Sequence, residues 1–446
     1  MLSLIGFATI LIIVILLIKE KVSPVIAMVL IPLLGAFIAG FGFGEIGEYF
    51  NQGIEQVIDV AIMFIFAILF FGIMQDAGLF DPLINKMIVL SKGNIIAVSV
   101  ATVLIAAVAQ LDGSGASTFL ITIPAMLPLY KRLNMNPYLL LLLIAGSASI
   151  MNMVPWAGPL GRSSSVLSVD VTELWYPLIS IQVIGMVLMI GIAVFLGYRE
   201  KRRIKEQFGN QGAAVASAAA LEETAEATDT EGEQFSEAEN TLARPKLIWV
   251  NAIIAIGVVA LLVSGIIPAG FAFMIGLSIA LPINYPKLKD QTERIKAHAS
   301  NALTMATIIL AAGSFLGILT GTGMLDAIAE DGVSVMPEAV GPYLHLVIGA
   351  LGVPFDLLLS TDAYYFALLP VVEQIASGFG TGSLSTVYAM IIGNIVGTFV
   401  SPLAPAVWLA LGLSGLEMGR HIKYSLPWLW GLSIVLLVIA VLIGVV

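Results

Sequence analysis

Cysteine is absent from the sequence, and charged residues make up only 11% of it. The absence of cysteine excludes disulfides, thiolate metal sites and cysteine nucleophiles. Soluble domains carry about 25% charged residues, so this low charge, together with 59% hydrophobic residues, excludes an ordinary soluble fold. Apolar runs at 2–18, 57–74, 174–196 and 426–446 are long enough to cross a bilayer as helices. We therefore predict an all-α polytopic membrane protein.

An acidic segment divides the chain into two apolar halves. Residues 221–239 hold eight acidic and no basic side chains, and so supply most of the net charge of −10. Bulky apolar residues are almost missing from 209–240, which is typical of disorder. Basic clusters flank this segment, and such clusters stay in the cytoplasm. The sequence predicts a first half at 1–198, a cytoplasmic disordered linker at 199–245 and a second half at 246–446.

The two halves repeat three motifs in the same order, at an offset that drifts only from 245 to 247 residues. The signs of the loop charges are reversed between the halves, so the positive-inside rule gives them opposite orientations. Three matches in order at one offset indicate inverted repeats. The matched pairs are FFGIMQDAGLFD (70–81) with FLGILTGTGMLD (315–326), SGASTFLITIP (114–124) with STDAYYFALLP (360–370), and MVPWAGP (153–159) with FVSPLAP (399–405).

Each half also contains a polar turn and a break inside apolar sequence. The loop charges do not distinguish two crossings at 93–110 and 114–129 from one re-entrant hairpin, but the Asp-Gly-Ser-Gly turn favours the hairpin. We predict about ten transmembrane helices plus two re-entrant helical hairpins. The hairpins are placed at 93–129 and 341–376, and the broken helices at 138–165 and 387–412.

Paired interruptions in inverted repeats point to the binding site of a secondary transporter. Hydroxyl side chains at both turns can cap the following helices, whose N-termini favour an anion. One arginine outside the loop clusters, Arg162, suits a substrate of low net charge. The candidate substrate-binding residues are Asp112, Gly113, Ser114, Gly115, Ser117, Asn152, Arg162, Ser360, Thr361, Asp362, Thr398 and Ser401.

Structural interpretations stay open for several of these residues. The two aspartates and the hydroxyls can be helix caps, Arg162 can be an interfacial residue, and Asn152 can bond a free carbonyl near the break. Ionisable residues inside membranes are functional by default. The candidates for proton coupling are therefore Asp112, Asp362, Asp356 and His345, although a structural role is also open for His345.

The sequence resembles the citrate–divalent metal:proton symporter family, CitMHS, of the ion transporter superfamily. The resemblance covers essentially the whole chain apart from the linker. The motifs that carry it are LDGSGASTFLITIPAMLPLYKRLNMNP, GSASIMNMVPWAGPLGR, FFGIMQDAGLFDPLI and LLSTDAYYFALLPVVEQ.

This resemblance implies symport of a metal–citrate complex with protons, a homodimer and an elevator-like movement of the domain that holds the hairpins. Family members often have a second aspartate where this chain has Ser114. This difference concerns the metal preference of the site and whether a metal is needed. Mg²⁺ and Ca²⁺ take oxygen ligands, so Asp112 is the candidate contact to the metal. We expect a bacterial inner-membrane location, no prosthetic group and no nucleic-acid partner.

Other functions are weighed against this one. The two aspartates suggest an intramembrane aspartyl protease, but the Tyr-Asp and Gly-x-Gly-Asp motifs of such enzymes are missing. A channel needs an open pathway rather than a midplane site, and inverted repeats with hairpins favour a carrier. A symporter of free citrate or another di- or tricarboxylate, coupled to H⁺ or Na⁺, is the nearest alternative.

Overall fold

The computed structural model describes residues 1–19, 21–91, 94–230 and 242–446. All regular structure in these ranges is helical, as the sequence predicts. The first half contains α1 (Leu2–Ile18), α2 (Pro24–Ile38), α3 (Phe43–Asp76), α4 (Asp81–Ser91), α5 (Ile95–Ala109), α6 (Gly115–Arg132), α7 (Pro137–Met151), α8 (Gly158–Leu167) and α9 (Val171–Thr230).

The second half follows the same order of long, short and broken helices. Its helices are α10 (Ile248–Ser264), α11 (Ala269–Asn284), α12 (Leu288–Gly321), α13 (Met324–Val335), α14 (Leu344–Ala350), α15 (Gly352–Phe355), α16 (Leu369–Gly378), α17 (Ser383–Ile395), α18 (Pro405–Ser414) and α19 (Met418–Leu442). A π-helix at Ala363–Leu368 joins the turn of the second hairpin to α16. Short 3₁₀ segments lie at Gln110–Asp112, Pro245–Leu247 and Gly341–Tyr343.

Six described segments are long and apolar enough to span a membrane, and several shorter apolar helices accompany them. The total of ten spanning helices stays a prediction. The six are Phe43–Asp76, Ile95–Asp112, Val171–Gln207, Pro245–Ser264, Leu288–Gly321 and Met418–Leu442.

Helices of each half pack against helices of the other half. The largest contact joins α3 to α12, and α2 packs on α12 as α11 packs on α3. The broken helix α8 contacts the π-helix and α16 of the second hairpin, while α18 contacts α6 of the first. Each broken helix therefore packs on the hairpin of the other half, as expected for two repeats related by a two-fold axis.

Close helix crossings depend on small residues at matching positions. A Cβ on Gly53 would lie 2.0 Å from the carbonyl oxygen of Gly313, so α3 and α12 cross with their backbones in contact. A Cβ on Gly393 would lie 1.9 Å from the carbonyl oxygen of Gly349. In the first half the matching residue Ser147 donates from its Oγ to the carbonyl of Val103 at 2.6 Å. Both halves thus contain the same close helix crossing, at Gly349 and Gly393 in the second half and at Val103 and Ser147 in the first.

The interior is formed by α7 and α17, which are buried along nearly their whole length. By contrast, α10 exposes large apolar side chains, including Trp249, Ile253 and Ile256. An apolar helix with apolar residues exposed fits a surface that faces lipid.

The predicted linker lies at the end of α9. This helix extends to Thr230, so 209–230, which we predicted to be disordered, is helical. Alanine and glutamate are strong helix formers, and they dominate this stretch. The rest of the predicted disorder falls on 231–241, which lie outside the described residues.

Candidate functional site

The first hairpin, formed by α5 and α6, reverses at a tight polar turn. Gly113 has a φ of 75°, in the left-handed region that glycine adopts readily. Asp112 Oδ1 accepts a hydrogen bond from the backbone N–H of Ser114 at 2.8 Å. Ser114 Oγ accepts from the backbone N–H of Ser117 at 3.4 Å. The N-cap predicted for this helix is therefore present, and the turn itself holds the carboxylate.

The break between α7 and α8 holds this turn in place. Trp156 Nε1 donates to the carbonyl of Leu111 at 2.7 Å. Gln110 Nε2 donates to Asn152 Oδ1 at 3.3 Å, and Thr118 Oγ1 donates to Gln110 Oε1 at 2.6 Å. Asn152, a candidate for substrate binding, thus forms a contact that positions the turn.

A cavity of about 360 Å³ separates the hairpin turn from the long helices α3 and α12. Its volume lies in the range of small-molecule sites. Its ionisable lining residues are Asp76, Asp112 and His298. The hairpin side contributes Asp112, Gly113, Ser114, Ala116, Ser117, Trp156 and Gly158, and the helix side contributes Phe64, Ile68, Gly72, Gln75, Asp76, His298, Asn301, Thr304 and Met305.

The wall opposite Asp112 contains an ion-pair cluster that the sequence analysis missed. Asp76 Oδ2 lies 2.8 Å from His298 Nε2 and 3.3 Å from Arg294 Nη1. A Cβ on Gly72 would lie 2.5 Å from His298 Nδ1, so the imidazole ring packs on the backbone of α3.

The interpretation of Arg162 as the one base outside the loop clusters was therefore wrong. Helix α12 begins at Leu288 and brings His298 to the cavity wall, while Arg294, one turn earlier, contacts Asp76. Their spacing of four residues, which places both on one helix face, was the available signal.

The second hairpin presents a different arrangement. Arg162, on α8, contacts Asp362 Oδ1 through both Nε and Nη2, each at 2.7 Å. Ser360 Oγ accepts from the backbone N–H of Ala363 at 3.2 Å and caps the following helix, and Thr361 is half-buried in the same turn. The charge of Arg162 is thus compensated by the carboxylate of Asp362.

A second cavity, of about 440 Å³, lies beside the second hairpin turn. It lies between that turn, the start of α18 and the segment that joins α1 to α2. Its lining residues are Leu17, Lys21, Val22, Ser23, Pro24, Ser360, Asp362, Leu403 and Pro405.

Polar groups at the second break bond mainly to backbone. Thr398 Oγ1 donates to the carbonyl of Ile395 at 2.8 Å. Ser401 Oγ donates to the carbonyl of Asp356 and accepts from the backbone N–H of Leu403. These contacts stabilise the break.

Gly115 is needed for a close contact between the first hairpin and the second break. A Cβ at this position would lie 2.2 Å from Cε1 of the Phe399 ring. The ring of Phe119, one turn later, packs edge-on against the same ring at 5.5 Å.

The predicted residues therefore fall into two cavities and their supports. Ser114, Ser117, Gly113 and Asp112 line the first cavity, and Ser360 and Asp362 line the second. The binding roles of all these residues stay predictions. Within the described part of the chain, no group of three or more acidic or histidine side chains is placed to hold a metal ion.

Paired hairpins and paired broken helices around polar cavities, in an all-helical apolar chain, define a secondary transporter. The chain belongs to the CitMHS citrate transporter family, whose model matches residues 9–393. It is a transporter and not an enzyme.

Curated relatives from Bacillus subtilis match along the full length. One, described as a citrate transporter, is 37% identical over 446 residues, with 100% of both chains covered. Another, a Mg(2+)/citrate complex secondary transporter, is 38% identical over 444 residues, covering 100% of this chain and 99% of that one.

A solved structure shares the fold. The YdaH transporter of Alcanivorax borkumensis superposes with a TM-score of 0.54 at 17% identity, over 87% of each chain. This similarity supports the fold and not the substrate.

Proposed function

We propose that this protein imports citrate as a complex with a divalent cation, in symport with protons. Family membership and the relative that carries a Mg(2+)/citrate complex support the substrate class. The proposal includes a bacterial inner-membrane location and a homodimer, which the family resemblance implies.

The observation that carries the metal requirement is the charge of the first cavity. Its ionisable lining residues are two aspartates and one histidine, and Asp76 is already paired with His298 and Arg294. Free citrate is close to trianionic at neutral pH, so Asp112 repels it. A complex with Mg²⁺ or Ca²⁺ is close to monoanionic and presents a hard cation that prefers oxygen ligands. The N-terminus of α6 then faces the remaining carboxylate.

An elevator-type movement fits the position of this cavity. One wall belongs to the first hairpin and the break before α8, and the other to α3 and α12. We propose that the two hairpins with α7, α8, α17 and α18 move as one body against α2, α3, α11 and α12. A substrate bound between the two bodies changes its access when they slide.

Uptake of labelled citrate into proteoliposomes tests the substrate and the coupling. An inward-acid pH gradient is imposed, and EDTA, Mg²⁺, Ca²⁺ and Zn²⁺ are compared. Uptake that requires both a divalent metal and the gradient is the expected result. Uptake in EDTA would show that the free acid is transported. It would also link the serine at position 114, where family members often have an aspartate, to a changed substrate. Uptake driven by a Na⁺ gradient instead would support the alternative coupling ion.

Replacing Asp112 with asparagine tests the proposed metal contact. A polar contact to a charged group contributes about 1.5–3 kcal/mol, so we expect Asp112→Asn to lower the apparent affinity for metal–citrate by roughly 10- to 100-fold. Asp81→Asn, an acid-to-amide change at an exposed position at the start of α4, is the matched control. Full transport by the Asp112 variant would remove this residue from the mechanism.

A further inference from the structure

A buried carboxylate in the second hairpin lacks the partners that the other membrane aspartates have. Asp356, which caps α15, is 2% exposed. Among the described residues, its Oδ2 atom has no hydrogen-bond partner. A Cβ on Gly397 would lie 2.4 Å from this oxygen, so backbone of the second break covers it.

Asn394, on α17, lies beside this carboxylate. Its Nδ2 donates to the carbonyl of Gly352 at 3.2 Å, and its Oδ1 also has no partner within the described residues. Asp356 Oδ2 and Asn394 Oδ1 are thus two buried acceptors without a donor, which is unfavourable for each of them. Rotating the amide would turn its oxygen towards the carbonyl of Gly352, which is also unfavourable.

A proton on Asp356 removes the cost of burying this group as an anion. If Asp356 Oδ2 is protonated, it becomes a hydrogen-bond donor, and the carboxyl group is neutral in an apolar environment that disfavours its charge.

Among the described residues, no unpaired cation is shown beside Asp356. The π-helix presents the hydroxyls of Tyr364 and Tyr365 to it. Arg162 of α8, which interacts with Tyr365, is paired with Asp362.

The first repeat supports this interpretation. The offset of 246 residues that aligns the hairpin turns places Asp356 on Gln110, and both residues cap the first arm of their hairpin. Gln110 is fully buried and bonds to Asn152 and Thr118. An amide is always neutral, whereas a carboxyl group at the same place is neutral only with a proton.

We propose that Asp356, buried under the second break and beside Asn394, is the residue that carries the coupled proton. This inference rests on the proposed proton symport. The proton comes from water on the outer side, binds to Asp356 Oδ2 and is released to cytoplasmic water. Because the carboxyl group is covered by the break, exchange with water requires a local opening between the second hairpin and the break, inside the body that moves as a unit. This links protonation to the conformation of the hairpin.

Asp356→Asn tests the inference, because asparagine resembles a permanently protonated aspartate. Proteoliposomes are clamped at zero membrane potential, and an inward-acid gradient of one pH unit drives uptake of Mg²⁺–citrate. Each coupled proton adds about tenfold to the accumulation at equilibrium under such a gradient. The variant should accumulate about tenfold less than the wild type, while counterflow of labelled against unlabelled citrate stays within about twofold.

Asp326→Asn, at an exposed acid in the first turn of α13, is the matched control and should keep both readouts. A folded Asp356→Asn protein with the wild-type accumulation would overturn the inference. A wild type that ignores the pH gradient would instead contradict the proton symport itself.

A second variant and a spectroscopic measurement cover the case of misfolding. Asp356→Gln copies the residue of the first repeat and should behave like the asparagine variant. Loss of counterflow in both variants, with monodisperse and thermally unchanged protein, would also refute the inference. In the wild type, infrared spectra at neutral pH should contain the C=O stretch of a protonated carboxyl group, and its absence would argue against a neutral Asp356.

Discussion

The ion pair between Arg162 and Asp362 joins the two halves, and its removal gives a quantitative test of the structure. Two guanidinium nitrogens contact one carboxylate oxygen at 2.7 Å, and the two side chains are only 9% and 12% exposed. Removing one partner of a buried pair costs about 3–5 kcal/mol, whereas replacing both with apolar residues is often neutral. Lys21 lines the same cavity as Asp362 and compensates in part, so we expect the lower end of this range.

The assay is a double-mutant cycle on purified protein. Arg162→Met and Asp362→Leu are each expected to lower the free energy of unfolding by about 3 kcal/mol, and the double variant by about 1 kcal/mol or less. Unfolding is followed by heat or denaturant in one detergent. The exposed pair Arg202–Glu206, with side chains 83% and 63% exposed, is the matched control and should couple by no more than about 0.5 kcal/mol.

Additive effects of Arg162→Met and Asp362→Leu would refute the reasoning, because they would mean that the two groups do not compensate each other's charge. Citrate uptake by the stable double variant then separates two roles. Retained uptake identifies the pair as structural, and lost uptake supports the predicted contact between Arg162 and the substrate.

Three further predictions follow from the first cavity and the linker. Gly113→Ala places a side chain at a φ of 75° and 3.2 Å from the carbonyl oxygen of Trp156, so it should destabilise the protein by about 1–2 kcal/mol. Gly44→Ala, with open space around it, is the control. Equal melting temperatures of the two variants would contradict the turn geometry. His298→Gln removes a partner of Asp76 and should raise the KM for metal–citrate by roughly fivefold, equivalent to about 1 kcal/mol; an unchanged KM would place His298 outside the site. Deleting 211–240 should leave uptake unchanged, and a folded but inactive deletion variant would show that this segment does more than connect the halves.

Features encoded by neighbouring residues were predictable from the sequence. The turn at Asp112 and Gly113, the cap at Ser114 and the break at Pro155 each depend on a few adjacent side chains. Their repetition at one offset provided the repeat relation, because matched glycine, serine and proline constrain the backbone in both halves. The all-helical fold followed from the long apolar runs.

Pairings over long sequence separations were not predictable in this way. Asp76 and His298 are 222 residues apart, and Arg162 and Asp362 are 200 apart. The spacing of Arg294 and His298 shows that they share a helix face, but no local signal identifies Asp76 as their partner. Likewise, nothing local pairs Arg162 with Asp362, because each of these residues can be interpreted alone as a cap, a loop charge or an interfacial base. The helicity of 209–230 was missed because low hydrophobicity was given more importance than the helix propensity of alanine.

The two repeats share a backbone plan but not their charges. At the common offset of 246 residues, Asp112 matches Leu358, Asp362 matches Ala116, and Asp356 matches Gln110. If both hairpins had the same task, their ionisable groups would occupy equivalent positions. Repeated backbones allow the site to be reached from either side of the membrane.

We propose that the unequal charges give the two hairpins different roles. The first hairpin presents Asp112 to the cavity that we propose holds a metal–citrate complex, whereas the second encloses an ion pair and a buried carboxyl group. Each hairpin packs against the broken helix of the other half. In this proposal, a change of charge at Asp356 therefore alters the packing of the body that holds the substrate, and the contact between the halves couples protonation to the substrate site.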